Sequence, residues 1–416
     1  MKICLVAYDS GMYINYFPLG LAYVASELLM QGHEVEVYSQ DVYHYPETHL
    51  TSYLDDRRFD VVGVGMCAGY YQYDKLFRIA RAVGHRAKLW AGGHMVSASP
   101  DYFGEELNKI CDTEIFTGMY GDAEYPTWEL FPMDYYSLIR LPHSNNSDRC
   151  FPMLSGSGCP FRCNFCYRME EGYRARSIDS IKEEICRLRE YHINFIDFAD
   201  ELLMYSVERT HEVCDALKPL GIKWMCNGRL NYAKPRVLKE MKEAGCVSIN
   251  YGVESVCDEV LKNMNKKLTY KQIISGTEAT LGAGISPRLN MLWGNIGDTK
   301  ETLRDAVDFL LKYDDHAELR TIRPVTPYPG SPLFDYAVEQ GMIEDAKDFY
   351  ENKHKNSDLA TVQFTGLKDK DFHIELLKAN TKLIDAYYSI KRGWSHWWAT
   401  QLYQYGNTSF RGFRQT

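Results

Sequence analysis

Strand-length apolar runs alternate with longer segments of helical periodicity along nearly the whole chain, and that alternation restricts the fold more than any other feature. Lys2–Tyr8 (KICLVAY) is a short apolar run, Leu19–Met30 has helical spacing, and Glu34–Tyr38 alternates as a strand does. Gly32 stands where a glycine closes a helix. The pattern continues through a strand at Asp60–Gly65, a helix at Tyr73–Val83, strands at Lys88–Ala91 and near Glu114–Thr117, and a helix from about Asp122. Residues 1–130 therefore read as an α/β domain with a doubly wound parallel sheet and helices on both faces.

Ligands of such sheets bind beyond the carboxyl ends of the strands. Gly65, Gly69, Gly92, Gly93, Gly118 and Gly121 fall there, where a missing Cβ allows close backbone approach. Tight strand-to-helix turns are the plainer reading of each of these glycines taken singly. The first such connection, Asp9–Pro18 (DSGMYINYFP), is too long for a dinucleotide fingerprint and lacks G-x-G-x-x-G; no phosphate loop of the G-x-x-x-x-G-K-[ST] type occurs either.

The composition, with 45% hydrophobic and 25% charged residues and a net charge of −9, is that of a soluble globular protein and lacks a general nucleic-acid footprint. The N-terminal apolar run reads as a strand rather than a signal peptide, and no uncharged stretch approaches bilayer length, so the expected location is cytoplasmic. Disulfides are disfavoured there, which leaves twelve cysteines to be explained.

Three of them stand together. Phe151–Gly158 (FPMLSGSG) reads as a strand entering a small-residue turn, and Cys159-Pro-Phe-Arg-Cys163-Asn-Phe-Cys166 follows at once. Three thiols on one loop suit an iron–sulfur cubane with one iron left open, since structural zinc takes four ligands. Zinc with a remote fourth ligand such as Cys150 is the alternative, and unliganded buried thiols a further one.

The Cys-x3-Cys-x2-Cys loop, with Phe165 before its last cysteine, resembles the signature of the radical S-adenosylmethionine (SAM) superfamily. The resemblance implies a [4Fe-4S] cluster on Cys159, Cys163 and Cys166, whose open iron chelates SAM and whose electron cleaves it to a 5′-deoxyadenosyl radical. Downstream, helices at Ile178–Glu190, Val207–Leu217, Pro235–Glu243, Tyr270–Leu281 and Thr299–Lys312 alternate with strands at Asn194–Asp200, Ile222–Asn227, Val247–Val253, Ile285–Leu292 and Glu318–Pro324. With the strand before the cysteines these make six β/α units, matching the superfamily's partial (β/α)6 barrel, expected over 151–330. The carboxyl ends of barrel strands carry Asp200 with Glu201, Asn227 with Arg229, Glu254 with Ser255, Asn290 through Asn295, and Arg323. Gly252-Val-Glu254-Ser255 and Trp293-Gly-Asn-Ile-Gly-Asp298 are similar to family segments at the ends of the fourth and fifth strands. By that likeness Phe165, Tyr167, Glu254, Ser255, Asn290 and Gly294 are the SAM contacts. A buried, paired Glu254 and helix-capping carboxylates at Asp200 and Glu201 are the plainer readings.

An α/β domain ahead of such a barrel is the arrangement of the cobalamin-binding radical SAM enzymes. Pro18-Leu-Gly-Leu-Ala-Tyr23, Gly92-Gly-His94 and Thr117-Gly-Met-Tyr-Gly-Asp-Ala-Glu124 resemble that family's recurring segments, although Met119-Tyr120 replaces its usual Glu-Gly. The implied cobalamin contacts are Pro18, Leu19, Gly20, Gly69, Tyr70, Tyr71, Gly92, Gly93, His94, Gly118, Gly121 and Glu124. D-x-H-x-x-G is absent, so no histidine is expected below cobalt, which faces Cys67–Tyr71. In the plainer view Tyr70 and Tyr71 open the next helix and Cys67 is a buried thiol.

The resemblance implies a C-methyltransferase that moves a methyl group from methylcobalamin to an unactivated carbon after hydrogen abstraction. Oxidative cyclisation or rearrangement without net methylation is the second reading, and a non-catalytic iron–sulfur or zinc module the third. An external electron donor such as flavodoxin or ferredoxin and a small-molecule substrate of unknown identity are the expected partners. Phe131–Cys150 reads as a linker, and the family-like Thr326-Pro-Tyr-Pro-Gly-Ser-Pro332 marks the barrel exit. A short helix reaching Glu339 and ending at Gly341, then a helix from about Lys368, make 331–416 a C-terminal helical region. Lys391–Thr416 carries +4 with no acidic residue and contains Trp394, Trp397, Trp398, Tyr403 and Tyr405. It reads as a docking helix with a basic tail, a wall for substrate, or a surface touching a membrane. Lys262–Lys267 (KNMNKK) reads as a solvated turn.

Overall fold

The computed structural model describes residues 1–67, 69–118, 123–168, 172–405 and 407, with the side chains of Tyr70 and Leu402 also left out. Its first sheet has strands β1 (Lys2–Ala7), β2 (Glu34–Ser39), β3 (Val61–Gly65), β4 (Lys88–Gly92) and β5 (Thr113–Ile115), in the order β2-β1-β3-β4-β5. Each pairing is parallel, so the sheet is doubly wound with its switch point between β1 and β3. The strands are nearly continuous apolar runs because helices cover both faces.

The second sheet comprises β6 (Cys150–Met153), β9 (Phe195–Phe198), β10 (Lys223–Gly228), β11 (Cys246–Glu254), β12 (Ser286–Trp293) and β13 (Ile322–Pro324). Its order β13-β12-β11-β10-β9-β6 follows the chain without a crossing and all pairs are parallel, giving an open partial barrel with helices outside. A two-stranded ribbon, β7 (Gly156–Ser157) with β8 (Arg174–Ala175), brackets the cysteine loop. Ser177, Ser206 and Ser331 start their helices by accepting a bond from the N–H three residues on, and Thr269 does so within a capping box.

The two sheets are joined by packed aromatic groups. Phe17, from the connection after β1, meets Phe151 of β6 at 4.6 Å and Phe131 of the linker at 5.0 Å. After the barrel, Phe349 and Tyr350 return to the first domain's core beside Phe103 and Ile79.

Several expectations change. The helix expected from about Asp122 is not formed by the described residues: Asp122 lies outside them, and 123–132 are turns and irregular chain held by buried Trp128. β13 begins at Ile322 rather than Glu318, because Glu318 is engaged by Arg288 and Arg320. A helix at Glu47–Arg57 had no counterpart in the sequence reading, since only Leu50 and Leu54 of its eleven residues are buried. The final helix, Asp369–Tyr403, is longer than a docking element needs.

Candidate active site at the carboxyl ends of both sheets

The loop carrying Cys159, Cys163 and Cys166 leaves the barrel beyond the carboxyl end of β6. Its backbone is pinned from several sides. Arg168 donates to the carbonyls of Cys159, at 3.0 Å, and Phe161; Asn265 donates to Arg162 O at 2.6 Å. The Asn164 N–H donates to Met264 O, and the Asn164 and Asn295 amides pair at 3.0 and 3.1 Å. Gly158 opens the loop at φ 82°, where a Cβ would stand 2.4 Å from Gly172 O, so no other residue fits there. Glu201 accepts the Gly158 N–H.

All three thiols are free. Burial raises Cys159 and Cys166, the latter to about 11, while neighbouring Arg168 opposes both rises. Among the described residues no group of three His, Cys, Asp or Glu side chains closes on a point suited to one metal ion. A cubane spreads its thiolates over the breadth of a many-atom cluster, so this loop fits that donor set better than a mononuclear zinc site. Cys150 starts β6, at the opposite end from the loop, packed with Ile139, Leu141 and Phe195, which removes it as a fourth ligand. Of the other eight cysteines, Cys4, Cys111, Cys214, Cys226 and Cys246 are buried like small hydrophobes.

Arg229, just past β10, is buried, and its guanidinium lies 3.6 Å over the Phe161 ring and donates to Lys266 O. Burial pushes that guanidinium down from its ordinary value, and the cluster-loop thiols Cys163 and Cys159 oppose the shift. Lys266 is itself buried, 5.7 Å from the Phe165 ring and 3.0 Å from Glu254. The segment read as a solvated turn is thus built into the site. Asn263 holds Ile296 O, Asn265 holds the cysteine loop, and Lys266 reaches Glu254. Asn265 and Lys267 take left-handed conformations, at φ 52° and 54°, which turn Lys266 inward; nothing in the residue pattern announces that.

The SAM-contact candidates fall around this loop. Glu254 ends β11 at φ 67°, past a register shift, and is both buried and paired as the plainer reading held. Gly252 makes room, since a Cβ there would sit 2.2 Å from Glu254 Oε1. Ser255 is buried and accepts the Cys257 N–H. Gly294 follows β12 at φ 100°, and its N–H, with that of Asn295, donates to Asp298 at 2.9 Å. Burial raises Asp298 to about 6 against these bonds. Trp293 stacks on Phe372 of the final helix at 4.2 Å, fixing the loop from behind.

Inside the barrel three asparagines join across strands. Asn227 donates to Asp200 O at 2.6 Å, Asn250 to Asn227 Oδ1 at 2.8 Å, and Asn290 to Asn250 Oδ1 at 2.7 Å. Asn290 is exposed to the cleft. Asp200 and Glu201 cap no helix, a role taken by Ser206. Asp200 is fully buried and accepts from Ser155 N and Oγ at 2.6 Å and from Tyr173 OH at 3.3 Å. Arg323 turns outward to Asp358 and does not join the site.

The cobalamin-contact candidates line the carboxyl ends of the first sheet. Gly92 ends β4, and Gly93 at φ 88° lets that end meet β3, because a Cβ would lie 2.4 Å from Met66 O. Gly69 precedes the helix Tyr70–Val83 at φ 149°, Tyr71 faces Gly11, and Gly118 donates to Ser97. Pro18, Leu19 and Gly20 open the helix after β1, with open space at Gly20. Tyr8 at the end of β1 hydrogen-bonds Cys67. Glu124 is exposed, while Gly121, Met119, Tyr120 and the Tyr70 side chain lie outside the described residues. His94 stands edge-on to Tyr167 at 6.1 Å, and burial lowers its imidazole. The carboxyl ends of the two sheets therefore meet immediately after the last cysteine.

Residues 153–310 match the Radical SAM superfamily. That segment, which spans the cysteine loop and most of the barrel, is a radical SAM domain. It is 24% identical to an uncharacterised methyltransferase of Pyrococcus horikoshii over 78% of this chain and 79% of that one. It is 26% identical to bacteriochlorophyllide d C-12(1)-methyltransferase of Chlorobaculum tepidum over 50% of this chain, spanning 47% of that relative's length. The fold is that of the radical SAM methyltransferase TsrM from Kitasatospora setae, solved with cobalamin and a [4Fe-4S] cluster, at a TM-score of 0.65, 17% identity, and coverage of 82% and 78%. No helix among the described residues is long and apolar enough to cross a membrane.

Proposed function

We propose that this radical SAM enzyme is a cobalamin-dependent C-methyltransferase acting on an unactivated carbon of a small molecule. The observation that carries the reading is the meeting of the two carboxyl ends at His94 and Tyr167, which sets the cysteine loop opposite the glycine-lined floor of the first sheet. When bound, the cluster with SAM supplies a 5′-deoxyadenosyl radical and cobalamin supplies a transferable methyl group.

The residues divide the work. Cys159, Cys163 and Cys166 hold the cluster, and Arg168 and Asn265 keep their loop in place. Lys266 and Glu254 offer opposite charges to the amine and carboxylate of SAM, between Phe165 and the loop of Gly294 fixed by Asp298. Ser255, Asn290 and Tyr167 complete that wall. Gly69, Gly92, Gly93 and Gly118, with His94, Tyr71 and the turn at Pro18–Gly20, bring backbone against the corrin. No side chain of the described Gly65–Tyr71 stretch offers an imidazole to cobalt. An external low-potential donor such as flavodoxin or ferredoxin would supply the electron. A reducing, cytosolic setting suits these free thiols. The reading divides the chain at 130, 150 and 330.

Anaerobic reconstitution with iron, sulfide and cobalamin, followed by mass spectrometry with candidate substrates, tests this. Formation of 5′-deoxyadenosine, S-adenosylhomocysteine and a product heavier by one methylene is expected. Deoxyadenosine with an unmethylated, oxidised or rearranged product would replace methyl transfer by the second chemistry.

A further inference from the structure

The final helix is packed for only part of its length. Phe372, Leu376, Ala379 and Leu383 are buried on one stripe against the helix Lys300–Tyr313 and the edge of β13, where Asn380 bonds both N and O of Ile322. After Leu383 no described residue of the chain is buried. The helix nevertheless runs on to Tyr403, about 30 Å further at ~1.5 Å per residue.

The stripe does not stop where the packing stops. At the same three- and four-residue steps it continues through Tyr387, Ile390, Trp394 and Trp397. Trp394 and Trp397 are 66% and 53% exposed, a large apolar outlay to leave in water. Its chemistry changes, however, from aliphatic and phenylalanyl inside the protein to tryptophan and tyrosine outside it. A helix seam with a second copy needs branched aliphatic residues that fit as knobs into holes, and Ile390 alone answers that description. Indole and phenol, apolar bodies with one polar atom, favour the boundary between hydrocarbon and water.

Charge points the same way. Asp385 is the last acidic residue; beyond it come Lys391, Arg392, Arg411 and Arg414, so this end carries +4 in a chain of net −9, leaving −13 elsewhere. Lys391 lies beside the aromatic stripe, 5.2 Å from the Tyr387 ring, and Arg392 is exposed on the far side of the same helical turn. An aromatic face with Lys391 at its side, in a segment whose only charges are positive, on a helix too polar to span a bilayer, describes a segment that lies in the headgroup region.

We propose that the exposed end of the final helix, Tyr387 to Tyr403, is an interfacial anchor that docks the enzyme on an anionic lipid surface. The inner half of this helix buttresses the Gly294 loop of the candidate site through Phe372 and Trp293, so docking would hold that site at a fixed height above the lipid.

The test is cosedimentation of the full-length protein with vesicles of phosphatidylcholine alone or of equal parts phosphatidylcholine and phosphatidylglycerol, with tryptophan emission recorded in parallel. Binding to the anionic vesicles, a blue shift, and weakening by high salt are expected. Trp394→Ser/Trp397→Ser should weaken binding about tenfold or more, and Lys391→Glu/Arg392→Glu should abolish the preference for phosphatidylglycerol. Both pairs are exposed, so thermal melting should match the unsubstituted protein. Failure of the unsubstituted protein to sediment with anionic vesicles would overturn the proposal, as would unchanged binding in both variants. A stable dimer by light scattering that dissociates in Trp394→Ser/Trp397→Ser would assign the stripe to a second copy instead.

Discussion

Lys266 brings its ammonium group within 3.0 Å of the Glu254 carboxylate, and both side chains are almost wholly shut away from solvent at the carboxyl end of β11. Two opposite charges taken out of water together hold one another there. Removing either leaves its partner buried alone, which costs far more than the pair contributes.

Lys266→Met should therefore destabilise the protein by about 3–5 kcal/mol in urea unfolding. Adding Glu254→Gln should recover part of that loss, because the coupling is between neighbours. SAM affinity, measured by isothermal calorimetry on the reconstituted protein, should stay low in both; recovery of SAM binding in the double variant would mean that the charges serve packing only.

Cys163→Ala should abolish cluster assembly and SAM cleavage while leaving cobalamin uptake intact, since Cys163 belongs to the barrel loop and the proposed corrin contacts to the first sheet. Iron content, deoxyadenosine formation and the corrin absorption spectrum read these separately. Retained cleavage would remove Cys163 from the ligand set.

Arg229 places a buried positive charge against the cysteine loop, stacked at 3.6 Å on Phe161. A nearby cation favours the more negative, reduced state of an iron–sulfur cluster. Arg229→Gln should make the midpoint potential more negative in an electron paramagnetic resonance redox titration. A potential that does not move would assign the guanidinium to loop packing alone.

Asp200 has its carboxyl raised to about 6 by burial, against the bonds from Ser155 and Tyr173. The folded chain keeps that proton to higher pH than the unfolded chain, which loses it near ~4. The associated stability is full below about pH 4 and falls as pH rises through about 6, by up to ~3 kcal/mol. Asp200→Asn mimics the protonated form, with its oxygen accepting Ser155 N–H and its amide donating to Ser155 Oγ. Urea unfolding should show the variant gaining on the unsubstituted protein between pH 4 and pH 7. An unchanged difference across that range would mean that Asp200 ionises with ordinary ease.

The elements of the site that were legible in advance are those whose pattern is local. Three cysteines on one loop, the apolar strand runs, and glycines following strands are read from neighbours in sequence, and the alternation of periods fixes which end of each strand they occupy. Lys266 is not legible in the sequence because its burial comes from two left-handed residues beside it, whereas lysine in a polar hexapeptide ordinarily points to water. Arg229 was placed at a strand end, but its stacking on Phe161 depends on two segments that meet only in the barrel. For Asp200 and Glu201 the residue pattern offers a strand-end site role or, more plainly, helix capping. Their true partners, Ser155 and Gly158, lie some forty residues back, across the sheet from β9 to β6.

The asparagine ladder has a direction. The carbonyl oxygen of Asp200 can only accept, so Asn227 must turn its NH2 toward it and its oxygen toward Asn250. The same necessity passes to Asn250 and then to Asn290, one of whose two N–H groups is spent on its neighbour. Three amides are thereby locked into one orientation from a single backbone group. Asn290 is left with its carbonyl oxygen unspent and turned away from Asn250, so a ligand seated against that oxygen is held by the hydroxyl or amine it can offer, and reversing the ladder would put the NH2 group in its place.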